Sequence, residues 1–200
     1  MVSTGRMRVM EVLAEATNVI AEGEVLQLVN MHDPDISVDD YLRVIEYKTA
    51  KLFEASTRLG ALISDASPEV EEACAAYGRA LGTAFQLIDD LLDYEGTTAE
   101  LGKNIGDDLR EGKPTLPLLA AMSRGTPEQR EMIRNAIIHG EVERMPDIVE
   151  VVKATGALQV TREAAQAQVD VAKKCLAALP PSEWREALLE LSLDSIHRSS

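Results

Sequence analysis

The chain has 200 residues, 27% charged and 46% hydrophobic, a composition that suits a globular domain with a sizeable core. With 20 Lys and Arg against 34 Asp and Glu its formal net charge is −14, which argues against nucleic acid, because such binding needs clustered basic side chains. No apolar run nears the ~18 residues of a membrane span, and the opening MVSTGRMRVM lacks the apolar core of a signal peptide, so neither a span nor secretion is expected.

In chain order, the recurrence of Val9, Val12, Leu13, Ala16, Val19, Ile20, Gly23 and Leu26 predicts a helix from residue 9 to about 28. HDPDIS interrupts it, with Pro34 as the break. Ser37 followed by Asp40 resembles a capping pair, opening a helix that runs to about Gly60. Pro68 belongs in the first turn of a long helix reaching about Tyr94. The segment GTTAELGKNIGDDLREGKPTLP, rich in Gly and charge, reads as a long structured loop. Thr126, Pro127 and Gln129 form a second capping box, whose helix stops near Gly140. A short helix over 146–155 ends at Gly156; another traced from Leu158 to Leu179 is stopped by Pro180 and Pro181; Ser182 caps the last. No segment alternates apolar and polar residues as a strand would, so the expected fold is all-α, an antiparallel helical bundle in a single domain over 1–200. Cys74 and Cys175 are isolated, and His32, His139 and His197 are scattered. Neither a disulfide framework nor a zinc site is indicated, and a reducing cytoplasm is the expected compartment.

The helix carrying FQLIDDLLDY is the informative one. Val70, Cys74, Tyr77, Leu81, Phe85, Ile88 and Leu92 share one apolar stripe, and Ala76, Ala80, Thr83, Leu87 and Leu91 cover much of the other side. A helix so apolar belongs inside a bundle. Between these faces run Gly78, Gly82, Gln86, Asp89, Asp90 and Asp93. Each mid-helix glycine costs roughly 1 kcal/mol relative to alanine, which implies that something approaches closely there. Asp89 and Asp93 are i,i+4 neighbours at the helix end least favourable to anions. Two carboxylates ~6 Å apart at an effective dielectric of ~20 repel by roughly 3 kcal/mol. A solvated acidic turn would relieve most of that cost; in a helix otherwise apolar, a cavity holding a divalent cation, Mg²⁺ above all, is the better account.

Lys48 and Thr49 lie on the stripe that holds Tyr41, Ile45, Leu52 and Ala55, and a core-facing lysine needs an anion or must snorkel outward. Lys103 and Lys113 bracket GDDLREGK just beyond the aspartates. Carboxylates, a metal and ammonium groups around one locus suit a diphosphate, for which an acidic protein needs a bridging cation.

FQLIDDLLDY followed by LGKNIGDDLREGKPTLPLL resembles the second aspartate-rich region of the trans-isoprenyl (polyprenyl) diphosphate synthases, and VMEVLAEATNVIAEGEVLQL and YLRVIEYKTAKLFEAS are similar to that family's middle helices. The resemblance covers essentially the whole chain and is closest to the octaprenyl diphosphate synthase branch. It implies an isoprenoid-synthase-type bundle lacking its N-terminal helices, and Mg²⁺ (Mn²⁺ also serving) held by Asp89, Asp90 and Asp93. It implies further that Lys48, Thr49, Gln86, Lys103 and Lys113 hold the allylic diphosphate, with Asp89, Asp90 and Lys48 as the catalytic set. The implied reaction condenses an allylic diphosphate with isopentenyl diphosphate, commonly in a homodimer. The family's first aspartate-rich motif has no counterpart here: Asp39 and Asp40 form another acidic pair, but Arg43 stands where a third aspartate would be needed. The chain is therefore expected to represent the C-terminal part of such an enzyme and to be inactive or nearly so alone. The competing expectation is a non-catalytic helical subunit that pairs with a complete synthase.

Overall fold

Helix follows helix along the chain, and one of them organises the rest. The structure, a computed structural model, describes residues 4–95, 106–140 and 143–197, and no strand occurs among them. Helix α1 (Met7–Asn30) leads through a Pro34-containing link into α2 (Val38–Ile45), a single π-helical turn (Glu46–Ala50) and α3 (Lys51–Ile63). The long α4 (Pro68–Glu95) follows, then the one-turn α5 (Asp107–Arg110), α6 (Leu116–Arg124), α7 (Pro127–His139), α8 (Met145–Ala154), α9 (Ala157–Cys175) and α10 (Glu183–His197).

Local chemistry fixes most boundaries. Ser37 Oγ accepts from the Asp40 N–H at 3.0 Å, so the expected cap is present. Thr126 and Gln129 form the reciprocal capping box, at 3.2 and 2.9 Å. Gly140 and Gly156, at φ +63° and +71°, end α7 and the α8 turn in the left-handed region where glycine is unstrained.

Three expected elements differ. The helix opened by Ser37 is not one α-helix to Gly60: the π turn interrupts it and α3 continues to Ile63. The Gly- and charge-rich segment is not all loop. Residues 96–105 lie outside the described residues, but Asp107–Arg110 is helical and Leu116–Pro117 already belongs to α6. Proline at the start of α6 removes an N–H that would have had no partner anyway. The helix traced to Leu179 leaves α geometry at Cys175 and finishes as a 3₁₀ turn, Leu176–Ala178, before the two prolines.

Helix α4 is the central element, packed most extensively against α3 and α9. Tyr77, Leu81, Leu87, Ile88, Leu91 and Tyr94 are buried along it, as its all-round apolar pattern requires. The main core joins α4 to α2 and α6–α9 through Ile45, Leu118, Ile137 and Val169, and a smaller cluster seals α1 against α3 through Val9, Val12, Ala16, Ala55 and Leu59. The close approach at Gly78 and Gly82 is helix packing: a Cβ on Gly78 would overlap the Phe53 carbonyl and Thr57 Oγ1, and one on Gly82 would lie 2.7 Å from Ala50 Cα. No described helix is long and apolar enough to cross a membrane.

Candidate active site

The C-terminal half of α4, the π turn, α2, the end of α1 and the segment before α6 enclose a cleft of about 270 Å³. Lys48, Thr49, Gln86, Asp89, Asp90 and Lys113 all line it. Six of the eight residues named from sequence thus line one cleft. Asp93 does not line the cleft, and Lys103 lies outside the described residues.

The π turn carries Lys48 and Thr49 into the cleft. Lys48 Nζ donates to Gln27 Oε1 at 3.0 Å and pairs with Glu24 at 3.2 Å, both on α1. Thr49 Oγ1 donates to Gln86 Oε1 at 3.0 Å, and Gln86 Nε2 donates to Asp90 Oδ1 at 2.8 Å. The other Asp90 oxygen accepts from Tyr41 Oη at 2.6 Å. A continuous polar chain therefore runs from the π turn through α4 to α2. With Asp90 ionised its oxygens can only accept, which turns Gln86 Nε2 toward Asp90 and leaves Gln86 Oε1 to accept from Thr49.

The three aspartates occupy different environments. Asp90 is buried, and burial, followed by the nearby Asp108 charge, pushes its pKa up to about 7 against the pull of the Tyr41 and Gln86 hydrogen bonds. Asp89 is exposed and faces the cleft mouth. Asp93 turns toward α5, accepting the Asp107 and Asp108 N–H groups at 3.2 Å each, while burial and the Asp108 charge raise its pKa to about 6. Lys113 Nζ pairs with Asp108 at 3.2 Å and with Glu111 at 2.6 Å. Burial raises the Asp108 carboxyl in spite of that lysine.

Sequence reading missed five polar residues of the cleft: Gln27, Asn30, Tyr41, Asp108 and Thr115. Tyr41 lies on the apolar stripe of its helix, where its sequence pattern is that of a core residue; Asp108 lies inside GDDLREGK, one acidic residue among several. Among the described residues no three His, Cys, Asp or Glu side chains are gathered as a metal cage. That does not disfavour Mg²⁺, which commonly takes one or two carboxylates with the rest of its shell from phosphate and water. Asp89 and Asp90, adjacent on α4 in a cleft that Lys48 and Lys113 also line, are a donor set of that kind.

Known proteins share the sequence and the fold of this chain. The octaprenyl diphosphate synthase of Escherichia coli (strain K12) is 52% identical over 199 residues, covering 99% of this chain and 62% of that protein. The all-trans-nonaprenyl-diphosphate synthase (geranyl-diphosphate specific) of Rhodobacter capsulatus is 42% identical, covering 99% of this chain and 61% of its own length. A solved polyprenyl synthase from Caulobacter crescentus CB15, complexed with calcium and isoprenyl diphosphate, superposes with a TM-score of 0.95 at 46% identity, over 100% of this chain and 62% of that one. The chain thus spans about three fifths of the length of these relatives. The family profile described as Polyprenyl synthetase matches residues 1–154, and the chain belongs to that family.

Proposed function

We propose that this chain supplies the second aspartate cluster and the diphosphate-holding lysines of a Mg²⁺-dependent polyprenyl diphosphate synthase of the octaprenyl type. The reaction joins an allylic diphosphate to isopentenyl diphosphate with trans addition of a five-carbon unit. The observation that carries this reading is the convergence of Lys48, Thr49, Gln86, Asp89, Asp90 and Lys113 on one cleft.

In this reading Asp89 and Asp90 would hold the metal, whose charge, when bound, offsets that of the leaving diphosphate. Lys48, from the π turn, and Lys113, from the segment before α6, bring ammonium groups to the same anion. Thr49 fixes Gln86, and Gln86 and Tyr41 fix the rotamer of Asp90, so the carboxylate does not have to reorganise as charge develops. The apolar wall, including Val44 and Ile45, keeps water from the allylic end. The 200 residues contain a single DDxxD sequence. With one aspartate cluster to hold metal, the charge of the leaving group is only partly offset, so these residues alone are expected to bind diphosphate with metal yet to turn over slowly.

Titration calorimetry with pyrophosphate and MgCl₂ tests the binding half of the proposal. Uptake that requires both ligands and is lost in Lys113→Ala supports it; no uptake, or uptake indifferent to the lysine, overturns it. Incubation with farnesyl diphosphate and labelled isopentenyl diphosphate tests the other half, and rapid elongation by this chain would refute the expected slow turnover.

A further inference from the structure

We infer that Gly23, together with Gln27, is a positioning residue that sets where Lys48 stands in the cleft; the inference rests on the reading of that cleft as a diphosphate site. Gly23 is buried in the interior of α1, where a glycine weakens a helix and alanine would ordinarily be preferred. Its conformation does not demand glycine, but its surroundings do. A Cβ at this position would lie 2.6 Å from the Lys48 backbone nitrogen and 2.9 Å from Lys48 Cα. Those are main-chain atoms, which cannot rotate aside as a side-chain tip would. On the opposite flank, Gly82 of α4 brings its helix equally close to Ala50, the last residue of the same π turn.

The π turn holding Lys48 and Thr49 is therefore gripped between two glycine contacts. Such turns are rare and add a residue to the helical repeat, which re-aims the side chains they carry. One helical turn beyond Gly23, Gln27 accepts from Lys48 Nζ at 3.0 Å, and Glu24 pairs with it at 3.2 Å. Helix α1 thus fixes the lysine at both ends: the main chain against Gly23 and the ammonium group on Gln27 and Glu24. Adding one methyl at residue 23 must push the turn outward, and an ammonium group displaced from its anion loses its charge-assisted hydrogen bond.

The test is a double-mutant cycle read by calorimetric binding of pyrophosphate with MgCl₂. Gly23→Ala, Lys48→Ala and the double variant are compared with Gly60→Ala, where an added Cβ meets nothing within 4 Å. Gly23→Ala should weaken binding about tenfold, the loss of one hydrogen bond to a charged group, and the double variant should be no weaker than Lys48→Ala alone. A general loss of stability would not produce that non-additivity. Should Gly23→Ala not fold, Gln27→Ala, which adds no atoms, must show the same non-additive loss and Gln27→Glu must restore binding. Losses that multiply, or a Gly23→Ala that binds as wild type, overturn the inference while leaving the site reading intact. A wild-type chain that takes up no pyrophosphate overturns the site reading and this inference with it.

Discussion

Tyr41 donates a 2.6 Å hydrogen bond to Asp90 from a neighbouring helix, and both side chains are buried. The bond favours the charged carboxylate, but burial and the Asp108 charge outweigh it and leave Asp90 at about 7. Its value without those influences is 3.8, so between about 4 and 7 the folded chain holds a proton that the unfolded chain has released. Metal-free stability should therefore fall as pH rises across this window and level off above it, with Asp93, at about 6, acting in the same direction. Urea unfolding at pH 5.5 and pH 8 should differ by about 2 kcal/mol. Asp90→Asn should remove most of the difference. Tyr41→Phe, which deletes the opposing hydrogen bond, should extend the decline to higher pH.

The aspartates should also separate by role in metal binding. Asp89 and Asp90 line the cleft, whereas the Asp93 oxygens already accept two backbone N–H groups at the start of α5. Asp89→Ala should abolish the part of Mn²⁺ binding that depends on pyrophosphate. Asp93→Ala should weaken it about tenfold, as expected for a residue that orients its neighbours without touching the metal. Titration calorimetry with Mn²⁺ distinguishes them, and equal losses would mean that Asp93 ligates directly.

Glycine substitutions give a contrast within one pair of helices. At Gly78 a Cβ would overlap the Phe53 carbonyl, so alanine must part α3 from α4 at a cost of about 1–3 kcal/mol. At Gly60 nothing lies within 4 Å, and alanine should stabilise α3 by about 0.5–1 kcal/mol. Opposite shifts in urea midpoint at constant slope are the expected result.

How far these features could be read from sequence depends on how local their causes are. Ser37, Thr126 and Gly156 act on their immediate neighbours, and the ends they mark were legible. The apolar stripes of α4 announced a central helix because burial on every side needs apolar residues on every side. The π turn was not legible: EYKTA has nothing that distinguishes it from α-helix, and what accompanies it is the grip of Gly23 and Gly82, residues 25 and 32 positions away from Lys48 and Ala50 respectively. Helical spacing places Asp93 beside Asp89, but the α5 amides that bond its carboxylate come from a segment beyond the helix and leave no mark in that spacing. Tyr41 was unreadable for the same reason, since its polar tip has meaning only beside Asp90.

An ion network outside the cleft joins α3 to α1 and α4. Glu54 is buried, yet its carboxylate meets Arg79 of α4 at 2.9 Å and Lys51 at 3.1 Å. Lys51 reaches on to Glu15 of α1 at 2.8 Å, and Arg58 joins Glu71 and Glu72 of α4 at 2.9 and 2.7 Å. Burial alone would raise the Glu54 pKa, but hydrogen bonds and charge from Arg79 and Lys51 overcome it and hold the carboxyl below its ordinary value. Glu54 therefore stays ionised in the folded chain, and its contribution persists until pH falls below the ordinary carboxylate range. Glu54→Gln keeps the shape but leaves Lys51 and Arg79 without their shared counter-charge, partly shielded from water. The loss should be about 2–3 kcal/mol, larger than for an exposed pair because the remaining cations cannot be solvated fully. Asp170→Asn, which removes the partner of Lys173 on the surface at 3.7 Å, should change stability by no more than about 0.5 kcal/mol. Urea unfolding of both variants at pH 7 makes the comparison. Equal, small effects would show that the network joining α1, α3 and α4 is solvated and that apolar packing alone holds these helices together.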